Sequence, residues 1–255
     1  MFSRALLFFL AFALQTLGKE SGIVFLVGDS EYKTADTVPA WARKELEPLG
    51  VRCTFLLDDP EKPFDFPQLA ALEKADALFI SIKRRGLPPA QLAAIRAFAE
   101  SGKPVIGIRT ASHALDPKKP AEGEVVWPTF DRDIFGGHYK NHYGKGPATI
   151  ARIEPGSAAH PILTAIPSGE LRFSSHLYKC RELAPSTKVL LTANVEGKAE
   201  ITESVAWLNL GEKRRTFYTS LGSPEDFEQP AFRRLLLNAT LWLIGQPIPP
   251  HAEIK

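Results

Sequence analysis

Cysteine is scarce: Cys53 and Cys180 are the two in 255 residues. Two cannot build a disulfide scaffold, and their spacing is not the CxxC pairing of a metal site. A surplus of either charge is missing as well. Lys and Arg total 31 against 29 Asp and Glu, with no long basic run, so no general field draws nucleic acid or an anionic membrane. No internal repeat is visible, and no apolar run reaches the ~20 residues needed to span a bilayer. What is present, 44% hydrophobic and 24% charged residues, is ordinary for a folded globular domain and excludes disordered, collagen-like and coiled-coil chains.

The chain begins with Met1-Phe2-Ser3-Arg4, continues through the apolar run Ala5–Leu14 and reaches a small residue at Gly18. A short basic start, an apolar stretch and a small-residue end form the layout of a secretory signal. The expectation is removal of residues 1–18 on export, leaving 19–255 as a single domain in the periplasm or outside the cell, with no stable membrane insertion. Export permits a Cys53–Cys180 disulfide, while the apolar strand-like surroundings of Cys53 equally fit a buried free thiol.

Beyond the leader, apolar β-rich runs alternate with helical patterns. Ser21–Asp29 reads as a buried strand, followed by a helix with Thr37 as cap, Pro39 in its first turn and Val38, Trp41, Ala42 and Leu46 on one face. Val51–Leu57 with Leu69–Leu72, Ala77–Ile82 with Pro88–Glu100, and Val105–Ile108 repeat the rhythm. This alternation predicts an α/β fold with a mostly parallel sheet covered on both faces. Residues 113–147 read as long loops, the kind that often carries function. Short β-like stretches follow at Thr149–Ile153, Leu171–Ser174, Val189–Ala193, Val205–Leu210 and Thr216–Leu221, and a final helix starts near Pro230. The triplet Asn238-Ala239-Thr240 matches a glycosylation acceptor but lies inside that helix, where packing explains it better.

In an open parallel sheet, ligands bind beyond the carboxyl ends of the strands. There the sequence places Asp29, Ser30, Glu31 and Tyr32 after the first strand, Lys83, Arg84 and Arg85 after the third, Arg109, Ser112 and His113 after the fourth, and Ser220 and Glu225 near the last. Basic groups beside hydroxyls and carboxylates suit a hydroxyl-rich ligand with a carbonyl or an anionic group. Gly107-Ile108-Arg109-Thr110-Ala111 has the form of a strand-to-helix nucleophile turn, yet its central residue is a guanidinium, which is no nucleophile. Ser112 and His113 are a weak Ser/His pair, since adjacent residues rarely point the same way. In Gly136–Gly144, His138 and His142 lie four apart and could share a metal on a helix, but the flanking glycines predict a loop. Tyr139 and Tyr143 could there stack on a sugar face. His160 and His176 read as structural.

Gly22–Asp29, Gly102–Arg109, Gly137-His138, His160-Pro161-Ile162 and Phe217–Phe227 together resemble the ThuA-like (trehalose utilisation) family over nearly all of residues 19–255. The resemblance implies a flavodoxin-like three-layer sandwich of the class I glutamine amidotransferase-like kind. It also implies losses. Arg109 stands where amidotransferases carry their cysteine nucleophile, and Ser223 stands where relatives carry His before Pro-Glu, which argues against glutaminase activity. The substrate class it implies is a carbohydrate, either a disaccharide or a keto-sugar.

Three functions follow as expectations. The first is an exported carbohydrate-processing protein in which His138 or His142 acts as general acid/base and Arg109 stabilises oxyanion charge, with Asp29, Ser30, Tyr32, Arg84, Arg85, Ser112, His113, Tyr139, Ser220 and Glu225 as ligand contacts. The second is a non-catalytic module binding a sugar or anion. The third is a metal-dependent hydrolase or isomerase built on His113, His138 and His142 near Asp29 or Glu31. No cofactor is specified by the sequence.

Overall fold

Four apolar runs bounded by Gly, Pro and polar turns become the parallel strands β1 (Gly22–Gly28), β2 (Arg52–Leu57), β3 (Ala77–Ile82) and β4 (Val105–Ile108). The computed structural model describes residues 21–57, 65–212 and 214–250. The expected leader, residues 1–18, lies outside the described residues. Further strands are β5 (His138–His142), β6 (Thr149–Ile153), β7 (Leu171–Phe173), β8 (Tyr178–Arg181), β9 (Thr187–Val195), β10 (Lys198–Asn209) and β11 (Thr216–Thr219). Three longer helices, α1 (Thr34–Glu45), α2 (Pro89–Glu100) and α3 (Pro230–Leu243), accompany them.

Nine strands form one sheet in the order β2-β1-β3-β4-β11-β10-β9-β6-β7, and β5 pairs with β8 in a small second sheet. From β2 to β11 every pairing is parallel, and from β11 to β7 every pairing is antiparallel. The expectation of a mostly parallel sheet therefore holds for one half only. The parallel half has the order of a flavodoxin-like sheet, and the remainder is built from hairpins such as β9–β10, closed by Glu196-Gly197 with Gly197 at φ 76°.

Alternate residues of β1 feed opposite faces, as strand geometry requires. Ile23, Phe25 and Val27 pack with Val38 and Trp41 of α1 and with Phe232, Leu235 and Leu236 of α3. Val24 and Leu26 pack with Leu92, Ile95 and Phe98 of α2 and with Trp127, Phe130 and Phe135. The result is a three-layer α/β arrangement. Each large α3 side chain on the buried stripe stabilises it by about 1.5–3 kcal/mol. Gly107 in β4 is needed for close approach, because a Cβ there would stand 2.3 Å from the ring of Phe135.

Several local expectations change. Helix α1 starts at Thr34, behind a left-handed Lys33, so Pro39 lies inside it and the Thr37 hydroxyl donates back to the Lys33 carbonyl at 3.3 Å. Asn238 is fully buried, and its amide donates to the carbonyls of Ile162 and Thr164 at 2.8 Å each, in line with packing rather than glycosylation. Cys53 and Cys180 are both free thiols. Burial pushes the Cys53 thiol up to about 12, which makes it unreactive. Among the described residues no helix is long and apolar enough to cross a membrane.

Candidate functional site

The turn after β1 is pinned before it reaches the rim. Asp29, 1% exposed, accepts from the Glu31 amide at 3.0 Å and from the Thr110 hydroxyl at 2.7 Å, tying the end of β1 to the end of β4. Burial pushes its carboxyl up, so Asp29 is a staple inside the fold rather than the open ligand contact expected of it. Ser30 and Glu31 are exposed at the turn's tip, and Tyr32 is buried. The three basic residues after β3 diverge. Lys83 pairs with Glu31, Arg84 donates to the Asp116 carbonyl at 3.1 Å, and Arg85 turns inward to the Gly28 carbonyl at 2.7 Å.

After β4 the chain makes the strand-to-helix turn expected of it, with Arg109 at φ 49° opening a short helical segment, Arg109–His113. A left-handed non-glycine residue costs ~1–2 kcal/mol, and two more basic residues, Lys33 and Arg84, adopt it at φ 49° and 43° in the turns after β1 and β3. The guanidinium of Arg109, however, is fully buried. Its carbon lies 4.6 Å from the Tyr32 ring centre and 4.2 Å from that of Tyr178. One terminal nitrogen donates to the carbonyls of His176, at 2.9 Å, and Ser220. The other meets the Tyr32 hydroxyl at 3.5 Å and His176 Nδ1 at 3.0 Å. Carbonyls and ring faces thus replace solvent around the charge, so Arg109 supports the site from beneath instead of presenting an oxyanion contact. A guanidinium has no acceptor, so His176 Nδ1 must be the lone-pair nitrogen and the ring proton sits on Nε2, 3.3 Å from the Tyr32 oxygen.

Above Arg109 lies a layer of tyrosine and imidazole rings. His113 stacks on Tyr139 at 4.3 Å, Tyr139 lies 4.6 Å from Tyr178, and His142 meets His176 edge-on at 4.6 Å. The β5–β8 pairing assembles this layer, so the segment predicted as a loop is a strand, its glycines falling just outside. Successive strand residues rise about 3.3 Å, which sets His138 and His142 about 13 Å apart along β5, too far to share an ion. His138 instead approaches Asp131 through Nδ1 at 3.0 Å. Among the described residues no group of three or more His, Cys, Asp or Glu side chains could hold a metal, so the expected cluster of His113, His138 and His142 is not formed.

Ser112 and His113 correct another expectation. The tight helical turn brings the Ser112 hydroxyl to 3.2 Å from His113 Nδ1, although the two are adjacent. Both are buried, and the described contacts of His113 include no carboxylate, so the pair lacks the orienting group of a nucleophilic triad. Ser220 is also buried and serves Arg109 through its carbonyl. Glu225 is exposed, and its neighbour Asp226 is the buried carboxylate, accepting from the amides of Ser174, Ser175, Gly222 and Ser223 and from the Ser175 hydroxyl. Tyr178 is the residue that sequence reasoning missed, while His176, read as structural, both holds Arg109 and enters the layer. The spacing of His176 and Tyr178, two apart as on one strand face, was the available signal.

The rings of His113, His142 and His176 are held neutral at physiological pH. Burial, then the charges of Arg84, Lys83 and Arg109, lowers His113 to about 3. Burial, then Arg109, lowers His176 to about 3, and burial followed by Arg109 and Lys145 lowers His142. In the unfolded chain each returns to about 6.5. The unfolded state therefore binds protons first, and stability present above pH ~6.5 is lost progressively as pH falls toward 3. Ring NMR signals of His113 and His176 are expected to stay fixed from pH 8 to 5, while the denaturation midpoint falls once the pH drops below ~6.5. Titration of either ring near pH 6.5 would show that the layer is open to solvent.

The fold and the strand-end site define an α/β protein whose turn after β4 holds a buried arginine. The family model described as ThuA, trehalose utilisation, matches residues 24–243, and the chain belongs to that family. No curated protein matches the sequence. Among solved structures, a ThuA-like protein from Parabacteroides merdae is similar with a TM-score of 0.63 at 13% identity, covering 92% of this chain and 94% of that one. A β-galactosidase from Rahnella sp. R3 gives a TM-score of 0.60 at 14% identity, over 92% of this chain and 33% of that one. The carbohydrate deacetylase Agd3 gives 0.55 at 14% identity, over 86% and 32%. The chain thus spans about a third of these two enzymes, and at such identities the likeness is one of fold.

Proposed function

We propose that this chain is an exported protein of carbohydrate utilisation that binds a sugar or keto-sugar on the tyrosine–imidazole layer at the strand ends. On this reading residues 19–255 form one glutamine amidotransferase-like unit without glutaminase activity. The observation that carries it is the layer of Tyr139, His142 and His176, half-buried and backed by Arg109. Aromatic faces stack on the apolar face of a pyranose, and His142, whose Nδ1 accepts from the Gly144 amide at 3.1 Å, keeps its Nε2–H to donate to a hydroxyl. The trehalose-utilisation description of the family points to the same ligand class. Loss of glutaminase chemistry is supported by Arg109, which cannot attack a carbonyl.

Calorimetric titration with trehalose and with keto derivatives of disaccharides tests this reading. Saturable binding is expected, weakened about tenfold or more by Tyr139→Ala through loss of stacking. Turnover lost in His142→Ala and retained in His138→Ala would make the layer catalytic, whereas binding without turnover would make it a receptor. Failure of every sugar to bind would overturn the proposal.

A further inference from the structure

The rim around the layer is built unevenly in charge. Glu31 receives two ammonium groups at once: Lys83, from the turn after β3, on one carboxylate oxygen, and Lys145, from the segment after β5, on the other at 3.3 Å. Arg84 stands in the same turn as Lys83, 3.9 Å from Asp116, and Arg109 lies beneath without a carboxylate among its hydrogen-bond partners. Asp29 is consumed by Thr110 and the Glu31 amide. One exposed carboxylate therefore stands between two lysines from different segments.

Resting on the sugar-binding reading, we infer that the ligand is an acidic sugar, its carboxylate or phosphate taking over the Lys83–Lys145 pair from Glu31. Three observations carry this. Lys83, Glu31 and Lys145 keep 36%, 31% and 72% of their side-chain surfaces exposed, and ion pairs so exposed contribute little to stability, so exchanging one carboxylate for another costs little. Lys145 follows His142 by three residues, and Lys83 precedes Arg84, whose amide donates to the His113 carbonyl at 3.3 Å, so an anion held by the pair leaves the rest of the sugar beside the layer. The surrounding field is positive on balance: Arg84, Lys83 and Arg109 act on His113, and Arg109, Lys145 and Lys179 on His142, with Glu31 the opposing charge at both.

Titrations of the full chain with D-glucuronate and with glucose 6-phosphate, against glucose and trehalose, test the inference, with acetate and inorganic phosphate as bare anions. Both acidic sugars, or one of them, are expected to bind more tightly than the neutral sugars and more tightly than the bare anions, and to weaken as salt is raised to about 0.5 M. The member of the pair that binds better identifies carboxylate or phosphate as the group recognised. Glu31→Gln is expected to tighten the acidic sugar about three- to tenfold and to leave neutral sugars unchanged, while Lys83→Met and Lys145→Met each weaken it by a similar factor. All three side chains are solvent-accessible, and unchanged melting temperatures will separate binding effects from folding. Neutral sugars binding as well as acidic ones, or Glu31→Gln weakening the acid, would overturn the inference while leaving sugar binding intact. Bare anions equalling the sugar acids would reduce the lysine pair to an adventitious ion site. No binding of any sugar would overturn both readings.

Discussion

Asp226→Ala is expected to lower the melting temperature by roughly 6–20 °C and to shift the denaturation midpoint accordingly. Asp226 is fully buried and gathers four backbone amides and a hydroxyl: Ser174 at 2.8 Å, Ser175 at 3.3 Å, Gly222 at 2.9 Å, Ser223 at 3.3 Å, and the Ser175 side chain. Gly222 and Ser223 also reach the Ser175 oxygen, at 3.1 and 3.0 Å, but the Ser174 and Ser175 amides and the Ser175 hydroxyl lose their acceptor, and at ~1–3 kcal/mol for each buried donor left unpaired the loss is ~3–5 kcal/mol. For a chain of this size each kcal/mol moves the midpoint by about 2–4 °C. Asp226→Asn should also destabilise, since its amide group points donors at donors. A loss below 2 °C in Asp226→Ala, on the order of a tolerated surface change, would mean that water replaces the carboxylate.

Arg109→Met is expected to be comparably damaging, at ~1–3 kcal/mol for each buried carbonyl it orphans, and to weaken ligand binding indirectly. The substitution keeps much of the apolar stem between Tyr32 and Tyr178 while orphaning the carbonyls of His176 and Ser220. It also frees His176 Nδ1, so the ring can change tautomer, and its hydrogen bond to Tyr32 is no longer imposed. Arg109→Lys should recover only part, because one ammonium cannot span four acceptors on three segments. Asp226 holds the two segments that supply the carbonyls, and its charge also acts on Arg109. The double variant should therefore fall short of additivity by 1 kcal/mol or more, as contacting residues of one network do. Full additivity in urea titrations would show that the two residues act separately. Unchanged sugar affinity in a folded Arg109→Met protein would move the binding surface away from the layer above it.

The parallel half of the sheet was legible because its strands are continuous apolar runs punctuated by glycine and proline. Arg109's turn was legible for the same reason: a strand ending in Gly107-Ile108 and followed by small residues has one place for an exceptional conformation. What the side chain does there was not legible. Its carbonyl partners lie 67 and 111 residues away, at His176 and Ser220, and no local pattern reports such a distance. Strand β5 was hidden by the glycines around it, since His-Tyr-Lys-Asn-His has no alternating apolar face, and β5 exists because β8 pairs with it. Glu225 and Asp226 were indistinguishable as letters. The turn that opens at Ser223 decides which of the two faces inward.

The two halves of the sheet differ in how much chain must be organised before they form. Strands β9 and β10 meet across a two-residue turn, so their pairing requires little loop closure. Strands β4 and β11 join Val105–Ile108 to Thr216–Thr219, and the guanidinium of Arg109 finds its acceptors only once that long loop has closed. Loop closure of this length is what slows folding in chains of high contact order. The residue that carries a charge into the interior is thus also the one whose surroundings arrive with the most distant pairing. Until then its guanidinium keeps its water, and the tyrosine rings that later sandwich it have nothing to stack on. A truncated or stalled chain with intact hairpins would accordingly retain much of its β-structure and lack the buried support beneath the tyrosine–imidazole layer.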